Sequence, residues 1–186
     1  MKDLGFVNTA AYGIKGVNYY WTRRERFGIT EEELREASVA DGDAYVAERI
    51  IGPLRDANAK LREHGFELIV KDGYRPPALY RLIQRKRYET RGKEETDLLL
   101  NMETMPHASG YVVDVNLVRL DTGEEAMLRD SNDDPGAFFI DFYRSRDDPK
   151  GWEFQRLQDL LMETMLSCGF RIGVKREYWH FEYPPE

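Results

Sequence analysis

One cysteine in 186 residues, Cys168, excludes any intrachain disulfide. It follows Met165-Leu-Ser in an apolar helical segment and reads as an inert buried thiol rather than a nucleophile. No apolar run approaches the length of a bilayer span, and Met1-Lys-Asp-Leu-Gly-Phe has no signal-peptide core. The expectation is therefore a cytoplasmic protein with no membrane partner. Positive charge is also short: 27 Lys and Arg against 34 Asp and Glu leave a net charge of -7. That balance argues against nucleic acid as a partner. The one basic run, Arg81-Leu-Ile-Gln-Arg-Lys-Arg-Tyr88, sets Arg81 and Arg85 a helical turn apart and reads as a solvated face. Repeats and low-complexity linkers are absent, and 41% hydrophobic residues suit one globular domain over residues 1–186. The sequence leaves the oligomeric state open.

What is present suggests an α+β domain, a small antiparallel sheet with flanking helices. Thr30-Glu-Glu-Glu33 is a capping box opening a helix. Val46, Ile50, Ile51, Leu54, Ala57 and Leu61 recur at helical spacing and predict a helix over Asp43 to Glu63, kinked or broken near Gly52 by Pro53. Phe66 to Lys71 reads as a strand, and Pro76-Pro77 opens another helix. Thr90 to Pro106 is charged and reads as an irregular surface excursion. Tyr111 to Val118 alternates as a strand does, with Asp121-Thr-Gly123 as its turn. Leu128 to Gly151 gives weak signals, Trp152 to Cys168 is helical in pattern, and Tyr178 to Tyr183 forms a last strand.

Histidine is scarce too, with three in the chain. His64 sits in the last turn of a helix before Gly65, an ordinary place for a basic side chain. His107 and His180 differ because each carries acidic partners: His107-Ala-Ser-Gly-Tyr-Val-Val-Asp114, and Glu177-Tyr-Trp-His180. His107, Asp114 and His180 would supply N, O and N ligands and leave one tetrahedral position open, the pattern of catalytic zinc. Glu177 beside them could take a proton from water and return it to a leaving amine.

Residues seven apart on a strand face opposite ways, so His107 must lie on the loop before the strand that holds Asp114, with Ser109-Gly110 supplying the bend. By the same parity Glu177 belongs on the turn before a strand holding His180, which would share a face with Tyr178 and Glu182. Taken alone, Glu177 to His180 would pass for an ordinary amphipathic edge strand. A third segment, Asp72-Gly-Tyr-Arg75-Pro-Pro77, makes that reading insufficient, because a turn does not require arginine. A guanidinium next to the zinc could hold a carbonyl oxygen as it gains charge, with Asp72 orienting it.

In this order, Asp72-Gly-Tyr-Arg75-Pro, His107-x-x-Gly110-x-x-x-Asp114 and Glu177-x-Trp179-His180-Phe181 resemble the D-alanyl-D-alanine dipeptidases of the vancomycin-resistance type. Arg156 to Phe170 looks like the helix preceding that family's last motif. The wider group of zinc peptidases includes D-Ala-D-Ala carboxypeptidases and lysostaphin-like enzymes. The resemblance covers residues 66 to 183 in blocks, and implies the hedgehog/D-Ala-D-Ala-peptidase-like fold with one Zn2+ per chain. His107, Asp114 and His180 would be its ligands, Glu177 the general base and acid, and Arg75 the stabiliser of the tetrahedral intermediate. The implied reaction is hydrolysis of a D,D-dipeptide, with D-alanyl-D-alanine as the small peptide substrate. The alternatives are a D,D-carboxypeptidase or other cell-wall-peptide zinc peptidase, and a non-catalytic zinc-binding domain. The sequence departs from the family at Met105-Pro-His107, where Ser-x-His is usual. It departs again over 128–151, which lacks the family's glycine-rich stretch.

Overall fold

In chain order the strands are β1 (Phe6–Asn8), β2 (Lys15–Gly16), β3 (Tyr45–Ala47), β4 (Phe66–Asp72), β5 (Val112–Arg119), β6 (Arg171–Ile172) and β7 (His180–Glu182). The helices are α1 (Tyr19–Thr22), α2 (Glu31–Glu36), α3 (Ile51–Glu63), α4 (Pro77–Arg91), α5 (Lys93–Leu99) and α6 (Pro149–Ser167). This computed structural model describes residues 5–133, 135–173 and 175–184. The first four residues, part of the stretch read for a signal peptide, lie outside them.

Five strands form one sheet in the order β2-β4-β5-β7-β6, antiparallel throughout except that β2 runs parallel to β4. β1 and β3 form a separate antiparallel pair. The period of two sends Leu68 and Val70 of β4, and Val113, Val115 and Leu117 of β5, into one apolar cluster. There they meet Leu54, Ala57 and Leu61 of α3 and Leu157, Leu161 and Met165 of α6. Each such leucine contributes about 1.5–3 kcal/mol on burial, so α3 and α6 anchor the sheet from that side. Asp114 is out of phase with Val113 and Val115 and points to the other face. A second cluster, which includes Tyr20, Leu34, Leu79, Tyr80 and Ile83, joins α1, α2 and α4.

Register turns the sheet into a scaffold for chemistry. A shift between Val70 and Asp72 brings Asp72 opposite Asp114, and Asp114 in turn lies opposite His180. Three polar residues thus form a row across β4, β5 and β7 at one end of the sheet.

Two expectations fail in part. The helix expected over Asp43 to Glu63 exists only beyond the break expected near Gly52: Tyr45–Ala47 pairs with β1, Glu48–Ile50 is a 3-10 turn, and α3 begins at Ile51. Pro53 is the third residue of α3, where a missing N–H costs no intrahelical bond. Its apolar neighbours fit either period, and pairing with a distant strand decided between them. Thr90 to Pro106 is largely helical rather than irregular, since α4 runs to Arg91 and α5 follows across Gly92, whose φ is +79°. The i,i+4 pairs Arg91–Glu95 and Lys93–Asp97 support this charged helix.

Candidate metal centre

His107 lies in a 3-10 turn, Pro106–Ser109, just before β5. The turn ends at Gly110 with φ +73°, and a Cβ added there would sit 2.4 Å from the Phe6 ring. Gly110 therefore supplies both the left-handed bend and the room for β1. Gly110→Ala should lower stability by about 1–3 kcal/mol through backbone strain alone, read as a lower urea midpoint; an unchanged midpoint would show that this bend is not required.

Past that bend, His107, Asp114 and His180 converge, with one potential ligand atom from each within 4.8 Å of the others. His180 Nδ1 lies 2.8 Å from Asp114 Oδ1, and His107 Nε2 lies 3.5 Å from the same oxygen. The Gly73 carbonyl, 3.0 Å from His107 Nδ1, can only accept, so Nδ1 carries a proton and Nε2 is the ring nitrogen turned to the cluster. His180 Nε2 faces Glu182 Oε1 at 3.7 Å. Outer partners of this kind orient ligating imidazoles. Burial opposes the ionised form of Asp114, yet the two imidazoles outweigh it and hold its carboxyl well below the usual range. Burial likewise opposes charge on His180, but the hydrogen bond and charge of Asp114 prevail and raise its pKa. Two imidazoles around an ionised carboxylate fit a divalent cation such as Zn2+. A cation there would displace the proton shared between Asp114 and His180.

Glu177 sits just before β7, bridged to Phe139, and its carbonyl accepts from His180 N–H at 3.3 Å. It feels the charges of Asp114, His180 and His107 without joining their cluster. Burial first, and then the Asp114 charge, push its carboxyl above the usual range. A carboxyl raised in this way holds a proton more readily than a free one, which suits a proton carrier.

Arg75 lies within 3.1 Å of Asp72 Oδ2 through Nε and 2.5 Å through Nη2, and both residues are buried. Its guanidinium stacks between the rings of Tyr20, at 5.0 Å, and Tyr80, at 4.7 Å. Burial alone would weaken its charge, but Asp72 and the neighbouring anionic groups raise its pKa above that of a free arginine. Its backbone N–H donates to the His107 carbonyl at 3.1 Å, so Arg75 borders the cluster. No hydrogen bond among the described residues uses Arg75 Nη1.

All the singled-out residues thus gather at one end of the sheet, and His64 stays outside them beside α6. Tyr178 departs from the expected alternation. It is buried in the apolar cluster with Phe181, because β7 begins only at His180. Sequence reasoning passed over three contributors. Gly73 offers a carbonyl, which no side-chain pattern reports. Tyr80 offers a hydroxyl from within α4 to the His107 N–H. At Gly173 a Cβ would lie 2.3 Å from the His180 ring, so only glycine leaves that imidazole its place. Met105 has φ +42° and packs against the second cluster. A cavity of about 1050 Å³ lies under Phe6, Asn8, Tyr12, Arg35 and Tyr45 and includes none of the three ligand candidates. It borders the arginine segment through Phe6, which stacks on Tyr74 at 3.9 Å, and through Tyr45, whose carbonyl accepts from the Tyr74 N–H at 2.6 Å. Among the described residues no helix is long and apolar enough to cross a membrane.

No family model matches the chain. A D-alanyl-D-alanine dipeptidase of Streptomyces coelicolor is 29% identical over 165 residues, spanning 77% of this chain and 78% of that protein. Among solved structures, the vancomycin-resistance D,D-pentapeptidase VanY, crystallised as a mutant with Zn(II), superposes with a TM-score of 0.50. It is 18% identical and covers 75% of this chain and 73% of its own. At that identity the likeness speaks for the fold, an α+β arrangement of the peptidase kind. The sequence likeness, with the His-Asp-His cluster, makes the chain a homologue of D-alanyl-D-alanine dipeptidase and an enzyme of the metallopeptidase type, while the likeness to VanY adds the fold alone.

Proposed function

We propose that the protein is a zinc peptidase that hydrolyses a D,D-dipeptide, with D-alanyl-D-alanine as substrate and two D-alanines as products. The observation that carries this reading is the His107, Asp114 and His180 cluster bordered by both Glu177 and Arg75. A structural metal site needs neither a proton carrier nor a second cation, so their presence favours catalysis over a binding domain. The 29% identity to a D-alanyl-D-alanine dipeptidase supports the choice of substrate.

His107 Nε2, Asp114 Oδ1 and His180 Nδ1 would hold one zinc, which supplies water acidification and carbonyl polarisation. Glu177, with its raised pKa, accepts the proton of the attacking water and afterwards delivers it to the departing amine. Arg75, fixed by Asp72 and by two aromatic faces, presents its remaining N–H groups to the carbonyl oxygen as that oxygen gains charge. Because it is anchored beforehand, little reorganisation is needed as the charge develops. Met105, in the place of the family's serine, offers no hydroxyl to the substrate, so dipeptides other than D-alanyl-D-alanine belong in the test. The reading includes a cytoplasmic setting, in keeping with the single cysteine.

Substrate length is tested by comparing kcat/KM for D-Ala-D-Ala, its N-acetylated form and a pentapeptide ending in D-Ala-D-Ala. The expected order puts the free dipeptide first. Faster cleavage of the pentapeptide would replace the dipeptidase reading with a carboxypeptidase one.

A further inference from the structure

We propose that Tyr80 is a positioning residue that locks the arginine and histidine segments of the site together. The inference rests on the peptidase reading and deepens it, since it says how Arg75 and His107 are held in register.

The first N–H groups of any helical turn lack an internal partner. In the turn Pro106–Ser109, Pro106 has no N–H, so His107 carries the first of them. That N–H is buried and donates to the Tyr80 hydroxyl at 3.0 Å, from a residue 27 positions earlier. The His107 carbonyl is used as well, accepting from the Arg75 N–H at 3.1 Å. The circuit closes through the Tyr80 ring, whose centroid is 4.7 Å from the Arg75 guanidinium carbon. Tyr80 itself is fully buried in the first turn of α4, its N–H bonded to the Pro76 carbonyl. One side chain therefore braces the guanidinium with its face and fixes the metal-ligand backbone with its oxygen. Burial is the main reason its phenol is pushed up to about 12, so the hydroxyl remains intact at neutral pH.

Core packing would require the ring alone and would accept phenylalanine. The oxygen is the part that packing does not explain, and it meets the one loop that brings His107 to the sheet. Removing it leaves the His107 N–H buried without a partner, and the loop must move to find one.

The test is Tyr80→Phe, which keeps the ring over Arg75 and removes only the oxygen. Cobalt(II) is bound to the wild-type and variant chains and the visible d–d spectrum recorded, alongside zinc affinity, kcat and KM. The expected result is a changed cobalt spectrum, zinc affinity weaker by about 10- to 100-fold, and kcat lower by a similar factor at saturating zinc with KM little altered. A lower melting temperature with wild-type spectrum, zinc affinity and kcat would overturn the proposal, since Tyr80 would then be core and nothing more. Should Tyr80→Phe not fold, hydrogen exchange in the wild-type protein decides: a slowly exchanging His107 amide supports the contact, and exchange at the rate of an exposed loop amide overturns it. Failure of wild-type protein to bind cobalt at all would instead sink the metal-site reading, so the two failures are distinguishable.

Discussion

Glu177→Ala lowers kcat for peptide hydrolysis by about 100- to 10,000-fold, the usual contribution of a positioned proton carrier, while zinc content stays at one per chain. The residue lies outside the ligand cluster but within its electrostatic reach, so its loss should spare the metal and remove the proton path. Stability provides an independent check. Burial and the Asp114 charge raise the Glu177 pKa in the folded chain, so the folded state holds this proton more tightly than the unfolded state does. Stability associated with this group is therefore greatest below its unfolded pKa and falls as pH rises through the folded one. At neutral pH its ionised form is a liability, and metal-free Glu177→Ala should melt no lower than the wild type. Activity measured over pH, metal content and a melting curve together separate catalysis from folding. Wild-type turnover in the variant would remove Glu177 from the mechanism.

Arg75→Met has the other large effect, and it strikes activity and stability together. Removing the guanidinium withdraws the one side chain that, among the described residues, hydrogen-bonds the Asp72 carboxylate, whose Oδ1 has no partner there. Breaking a buried ion pair from one side costs about 3–5 kcal/mol, because the surviving charge stays buried. Loss of an oxyanion donor lowers kcat by about 100- to 1,000-fold. The double variant Asp72→Asn/Arg75→Met separates the two effects. It should recover much of the lost stability, since the stranded charge is gone, but none of the activity. Recovery of turnover in the double variant would contradict the oxyanion role and leave Arg75 as a structural partner of Asp72.

The parts of the site legible in the sequence were those that follow from local rules. Strand parity required His107 on a loop and Asp114 within a strand, and both lie so. The Thr30 capping box is complete, with both reciprocal bonds formed. The α+β class, the β4 strand, the helix opened by Pro77 and the long C-terminal helix are all present. The failures belong to elements decided by distant partners. Tyr45–Ala47 became a strand because β1 lies beside it, and no periodicity within a window of that length reports the neighbour. The supporting contacts were illegible for a similar reason: the Gly73 carbonyl, the Tyr80 hydroxyl and the space at Gly173 act across the fold, not along the chain. The cross-strand row Asp72, Asp114, His180 could have been suspected only by knowing the register shift after Val70.

The most direct test of the central claim is a zinc titration of metal-free protein, followed by release of free D-alanine from D-Ala-D-Ala. Release should be absent without metal, rise in proportion to added zinc, and level off at one equivalent per chain; His180→Ala should show neither tight binding nor release. One zinc bound tightly at His107, Asp114 and His180, with no D-alanine released from D-Ala-D-Ala or from any longer D,D-peptide, would contradict the account and make this a metal-binding domain.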